Sequence, residues 1–135
     1  MAHSLVVSDT HALIWYAQGR SNRLGSRARR IFERCEAGQA VVYLPMLVLA
    51  ELGEATRTGR VSLPAPFVIW VEHLLGSGRF FAVDLSWEIL REAEELYAIP
   101  ERGDRLIAAT AAHLDLPLVT RDPEIGAAAG VKVIW

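Results

Sequence analysis

Short apolar runs recur along the chain, and between them apolar residues fall three and four positions apart. Leu5-Val6-Val7, Ala40 to Tyr43, Phe80 to Val83, Leu118-Val119 and Val131 to Trp135 are dominated by apolar residues, many of them β-branched or aromatic. Runs without polar alternation read as strands covered on both faces, the habit of parallel sheets. The intervening segments carry helical spacing. Ala12 to Ala17 predicts a short helix ending near Gly19, and Arg20 to Gly25 a polar connection. Ser26 opens a helix to about Ala37 with Ala28, Ile31, Phe32 and Cys35 on one stripe, closed by Gly38. Pro45 breaks the second strand and starts a helix to about Thr58, ended by Gly59. Leu63 to Leu75 predicts another, entered through Pro64 and Pro66 and left through Gly76-Ser77-Gly78. Ser86 caps a helix to about Tyr97, Gly103-Asp104 opens one ending near His113, and Asp122-Pro123 starts a short one by cap-plus-proline logic. Five strands separated by helices predict an α/β fold: a parallel sheet with right-handed crossovers that put helices on both faces. No repeat, low-complexity tract or linker divides residues 1–135, which read as a single domain.

Composition narrows the class. A chain of 135 residues, 52% hydrophobic and 22% charged, suits one globular core. A formal net charge of −2 excludes a strongly basic nucleic-acid-binding coat but not a local basic patch. Cys35 is the single cysteine, so no internal disulfide framework exists, which fits a reducing cytoplasm. Asp9 interrupts the first apolar stretch and no basic leader precedes it, so no signal peptide is expected. No apolar run approaches the roughly 18 residues that span a bilayer.

The chemistry rests on carboxylates. Asp9 ends the first strand and starts a helix, at the edge where open parallel sheets bind ligands; it also suits a plain N-cap. Glu51 follows Leu47 and Val48 by four and three residues and precedes Ala55 by four, so it lies within an apolar stripe. A bare carboxylate there needs a partner, a metal, or an escape toward water. Glu54 lies toward the flank. Asp104 falls in the first turn of a helix and Asp122 at the end of the fourth strand, both also explicable as helix-end charges. Asp84, at the end of the third strand, is the rival and reads as structural. Glu36, Glu72 and Glu101 carry no stronger signal, and Glu88, Glu92, Glu94 and Glu95 read as a solvated helix face. Gathered in one cleft, Asp9, Glu51, Asp104 and Asp122 would repel one another, and a hard divalent cation such as Mg²⁺ or Mn²⁺ relieves that with oxygen ligands and water. His3, His11, His73 and His113 show no metal spacing; His11 stands out only by its place beside Asp9.

Ser8-Asp9-Thr10-His11-Ala12-Leu13-Ile14-Trp15, the Glu51 helix, Asp104-Arg105-Leu106-Ile107-Ala108-Ala109-Thr110-Ala111 and Leu118-Val119-Thr120-Arg121-Asp122 together resemble the PIN-domain nucleases, above all VapC-type toxins of type II toxin–antitoxin modules. The resemblance runs to the terminal strand; its specificity lies in the order and spacing of the motifs, none being specific alone. It implies an α/β/α domain with a five-stranded parallel sheet in the order 3-2-1-4-5. It implies Asp9, Glu51, Asp104 and Asp122 as the metal-binding and catalytic acids, with Thr120 as a supporting hydroxyl. The implied activity is hydrolysis of RNA phosphodiesters with Mg²⁺ or Mn²⁺; the implied partners are a VapB-type antitoxin and a second copy in a homodimer. One departure is visible: many relatives carry Asp-Pro three and two residues before the third acid, where this chain has Glu101 and Arg102.

An RNA substrate also needs cations. Arg20, Arg23, Arg27, Arg29, Arg30 and Arg34 stand against one acid, Glu33, and form either a phosphate-facing patch or an ordinary solvated face. Arg105 and Arg121 neighbour the proposed ligands. Trp15, Tyr16 and Trp70 are candidates for base stacking or for packing. The apolar face of the Pro45–Leu75 helical pair is where an amphipathic antitoxin segment would lie. Two other classes remain open from residues alone: a receiver-like module phosphorylated at Asp9, and a non-catalytic RNA- or partner-binding domain. The receiver is disfavoured, because no acidic pair adjoins Asp9 and the only lysine, Lys132, lies in the final strand.

Overall fold

A computed structural model describes residues 4–135, and His3 falls outside them. Five strands, β1 (Leu5–Ser8), β2 (Val41–Pro45), β3 (Phe80–Val83), β4 (Leu118–Val119) and β5 (Val133–Ile134), form one sheet in the order β3-β2-β1-β4-β5. Every neighbouring pair is parallel. The helices are α1 (Thr10–Ala17), α2 (Ser26–Glu36), α3 (Met46–Arg57), α4 (Phe67–Gly76), α5 (Trp87–Glu94), α6 (Arg102–Leu114) and α7 (Pro123–Ala129). Consecutive strand residues point to opposite faces. Val6 and Val7 are both fully buried, as are Leu118 and Val119, so both faces of the sheet centre are covered. That is why these strands read as continuous apolar runs.

The strand order places the sheet's switch point between β1 and β4, the crevice where such sheets bind ligands. Ser8 pairs with Val119, so Asp9 and Thr120 leave the sheet side by side. The Asp9 amide donates to the Val119 carbonyl at 3.1 Å, and the Thr120 amide to Ile134 at 3.2 Å. These bonds fix the backbone from which two of the expected site residues project.

Element boundaries differ from expectation in instructive places. The fourth helix begins at Phe67 rather than Leu63, because Pro64 and Pro66 hold the residues before them out of the helical region. Pro45 does not break β2; it ends the strand, paired with Val83, and hands over directly to α3. The fifth helix stops at Glu94, short of Tyr97, and β5 spans two residues rather than five.

On the far side of α1 from the crevice, Tyr16 stacks on Phe32 with ring centroids 4.7 Å apart and donates its hydroxyl to Glu36 at 2.9 Å. Cys35 is fully buried beside them, its thiol pushed up to about 11 by burial, as an inert core residue. A smaller cluster of Ile89, Ala93, Leu106 and Ala109 joins α5 to α6 and braces the helix that carries Asp104.

Two glycine substitutions of the same kind should move stability in opposite directions. A Cβ on Gly126 would overlap Val133 Cγ2 and stand 3.0 Å from the Val131 carbonyl, so Gly126→Ala must push α7 off β5. It is expected to destabilise by about 1–3 kcal/mol in urea unfolding. Gly76 closes α4 with open space around it, and Gly76→Ala is expected to stabilise by about 0.5–1 kcal/mol.

Candidate active site

Asp9 is held by its own helix. It is the N-cap of α1, and Oδ1 accepts from the Ala12 amide at 2.8 Å. Burial at the end of the central strand pushes its pKa up; the Ala12 amide, the nearby Thr120 hydroxyl and the His11 and Arg121 side chains pull it partly back. The cap reading therefore holds for this residue, which also lines the cleft. The cap uses one carboxylate oxygen and orients the other.

Glu51 reaches the same cleft from α3. It is half-buried on the stripe that buries Val48, Leu52 and Ala55, and the Thr10 hydroxyl donates to its Oε1 across a sequence gap of 41 residues. Thr10 is the residue next to Asp9, so this bond ties α3 to the start of α1. Oε2 faces α6, where it lies 3.3 Å from the point a Cβ on Gly103 would occupy.

Asp104 enters from the first turn of α6. Its pKa is raised by burial and then, in order, by Glu101, Glu51, Asp9 and Asp122; every influence pushes the same way. Glu101 is the residue that sequence reasoning passed over. It precedes α6 but makes no side-chain cap bond, and its Oε1 lies 3.4 Å from the same Gly103 position that Glu51 approaches. The only hint in the sequence was that a carboxylate stands where many relatives have one, behind the loss of the proline.

Asp122 is the N-cap of α7, accepting from the Glu124 amide at 2.9 Å, and is exposed. Thr120 is buried and accepts from the Asp122 amide at 3.3 Å, which sets the turn out of β4. The cleft has two lobes. The larger, of about 440 Å³, is lined by Asp9, Thr10, Glu51, Glu101 and Asp104. The other is lined by Asp9, Glu101, Asp104, Thr120 and Asp122. Asp9 and Asp104 belong to both; Glu51 and Asp122 do not share a lobe. Asp84 is exposed and lines neither lobe.

Among the described residues no three His, Cys, Asp or Glu side chains close on one point as a ready metal cage. Nor is any of these acids in an ion pair: the pairs among the described residues are Arg29–Glu33, Arg57–Glu54 and His113–Glu92. Arg105 instead donates to the carbonyls of Ile99 and Pro100 at 2.8 and 2.9 Å, and Arg121 lies over the Trp15 ring at 5.4 Å. The donor set is all oxygen, free of ion pairs among the described residues, and spread around the cleft. That suits Mg²⁺ or Mn²⁺, which keep several waters and take one or two carboxylates, rather than an ion needing a closed protein cage.

The aromatic candidates separate. Trp15 lines both lobes, packed against His11 and Trp135 with centroids 5.7 Å away in each case. Tyr16 and Trp70 pack against the core. The arginine segment also separates: Arg20 lines the larger lobe, whereas Arg27, Arg29 and Arg30 are exposed on α2 outside it. The strand order differs from the 2-1-3-4-5 of receiver folds, which removes the phosphoacceptor alternative.

Comparisons with known proteins agree with this geometry. No curated protein sequence matches the chain significantly. Among solved structures, VapBC2 from Rickettsia felis bound to a promoter DNA fragment is similar over 96% of both chains, with a TM-score of 0.69 at 16% identity. DNA-bound VapBC from Salmonella typhimurium covers 98% of this chain and 97% of its own, with a TM-score of 0.67 at 17% identity. FitAcB from Neisseria gonorrhoeae covers 95% of each, with a TM-score of 0.63 at 20% identity. At such identities the likeness is one of fold. The PIN domain family model matches residues 6–131, from β1 to the edge of β5, and the chain therefore belongs to the PIN-domain family.

Proposed function

We propose that this chain is a divalent-metal-dependent endoribonuclease and the toxin of a toxin–antitoxin pair. The observation that carries the reading is the convergence of Asp9, Glu51 and Asp104 on one cleft at the β1/β4 switch point, with no protein cation paired to any of them among the described residues. Family membership and the fold-level likeness to VapBC and FitAB toxin–antitoxin structures support it. A cytoplasmic setting follows from the same reading, since the substrate is cellular RNA. No described helix is long and apolar enough to cross a membrane.

Asp9 and Asp104, common to both lobes, would hold Mg²⁺ or Mn²⁺, and Asp122 and Glu51 would help to position the ion or its water. Bound there, the cation would lower the pKa of a water and polarise the scissile phosphate. The chain's own part is to hold the oxygens still. The Ala12 amide fixes Asp9. The Thr10 hydroxyl fixes Glu51. The Asp122 amide, donating to Thr120, fixes the turn that presents Asp122. The acids titrate as a coupled set, so no single one is assigned as general base.

The partners in this reading are RNA, a VapB-type antitoxin and a second copy of the chain. Val68 and Ile69, 61% and 59% exposed on α4, offer an apolar surface to an antitoxin helix. Trp70, half-buried against the core, does not belong to that surface. Leu85, Trp87 and Tyr97 are exposed apolar surface available to a homodimer.

Asp9→Asn keeps the helix cap and removes a metal ligand. It should lower Mg²⁺- or Mn²⁺-dependent cleavage of labelled RNA by about 100-fold or more, and full activity in this variant would end the proposal. Asp104→Asn should raise the Tm of the metal-free protein by a few degrees at neutral pH. Folding raises this carboxyl's pKa, so ionisation weakens the native state; the gain should vanish as pH falls below the ordinary value of 3.8. Thermal melts from neutral to acid pH measure it. Val68→Asp should weaken binding of the neighbouring gene's product at least tenfold by calorimetry while leaving RNA cleavage unchanged.

A further inference from the structure

The larger lobe of the cleft is lined by cations as well as carboxylates. Arg20 and Arg60 line it together with Gln18, opposite the acids in composition and in the same cavity as Asp9, Glu51 and Asp104. The two arginines are 40 positions apart in sequence. Each follows the carboxyl end of a helix, α1 for Arg20 and α3 for Arg60, and these two helices are joined by the Thr10–Glu51 bond. Their backbones are pinned rather than loose: the Arg20 amide donates to the Trp15 carbonyl at 2.8 Å, and the Arg60 amide to Ala55 at 3.0 Å.

Both side chains are exposed, and neither takes part in an ion pair among the described residues, although unpaired carboxylates line the same cavity. A cleft lined by both unpaired acids and unpaired guanidiniums is not neutralising itself. It is arranged to take a ligand that carries a cation at one end and an anion at the other. A polynucleotide with a divalent ion at one phosphate, followed by a further phosphate along its backbone, has that pattern. Guanidinium is the side chain best shaped to hold a phosphate through paired hydrogen bonds.

We infer that Arg20 and Arg60 form a phosphate subsite that grips the RNA backbone next to the scissile bond. The inference rests on the ribonuclease reading above. A plainer role exists for both residues, since a cation past the end of a helix complements its dipole. That role would show in thermal stability and leave RNA binding untouched, so the two are separable.

The test uses the full chain carrying Asp9→Asn, which binds without cutting, and measures a fluorescein-labelled single-stranded RNA by anisotropy over a range of KCl concentrations. Adding Arg20→Ala and Arg60→Ala together should weaken binding about tenfold or more at low salt. It should also flatten the dependence of log K on log[KCl] by about 1.4, since each single-strand phosphate left without its arginine lowers the slope by roughly 0.7. Arg30→Ala removes a single charge from the exposed face of α2 and should change little. Arg20→Lys with Arg60→Lys should keep the salt slope. A double alanine variant that binds as tightly as Arg30→Ala, with an unchanged slope, overturns the subsite while the ribonuclease reading stands. Failure of the Asp9→Asn protein to bind RNA at all overturns both.

Discussion

A carboxylate set at the driest end of the central strand has to be reconciled with its surroundings, and most of this fold's local detail around the cleft serves that end. Asp9 emerges between two strands whose last residues, Val7 and Ser8 in β1 and Leu118 and Val119 in β4, are fully buried. The topology supplies the first compensation. In a parallel sheet each crossover helix starts near the strands' carboxyl edge, so amide-rich helix N-termini converge on the same crevice. Asp9 caps α1, Asp104 lies in the first turn of α6, and Asp122 caps α7. Local helix-capping rules and the assembly of an acidic site therefore ask for the same residues at the same positions. The compensation is incomplete: burial still raises the pKa of Asp9, and burial with the neighbouring acids raises that of Asp104. A domain that needed only capped helices would do better with serine or asparagine at these places. Retaining the charges costs stability that a purely structural cap would not.

Adjacent residues on α1 show how sharply the crevice divides function from core. Thr10 turns to Glu51, His11 and Trp15 face the cleft, and Tyr16 turns the other way to stack on Phe32 and Phe80. Trp15 is held by His11, Trp135 and Arg121 where the two lobes meet. Its packing makes it a fixed wall of the cleft rather than a free platform. Arg121 thereby lies over an aromatic face and acts on Asp9 without forming an ion pair with Asp9 or Asp122. Arg105 is likewise diverted, to the carbonyls of the α5–α6 connection. The two arginines closest to the acids in sequence are thus both kept from pairing with them, and the charge of the cleft survives.

Glu101 modifies the expected pattern without breaking it. The family resemblance marks Glu101-Arg102 as a departure from Asp-Pro. In the folded chain the longer side chain still delivers a carboxylate to both lobes, and it is the strongest of the charged neighbours acting on Asp104. Gly103 makes this possible, because a side chain there would meet the oxygens of both Glu51 and Glu101.

The sequence alone determined whatever depends on near neighbours. Continuous apolar runs marked the five strands, because a strand buried on both faces has no polar side to show. Caps and glycines marked most helix ends, because the orphan groups of a helix are satisfied within a few residues. Glu51 stood out because it broke an apolar stripe at helical spacing. Asp9, Asp104 and Asp122 were visible, but each was equally explained as a cap. Only the tertiary structure showed that these acids share one crevice, by bringing residues from the end of β1, α3, α6 and the turn after β4 around it. The same is true of Glu101, Arg20 and Arg60, whose roles arise where segments far apart in the chain meet. Periodicity reports which face of an element is buried; it carries no record of what lies across the cleft. Chain topology and packing supply that, and they are properties of the whole fold.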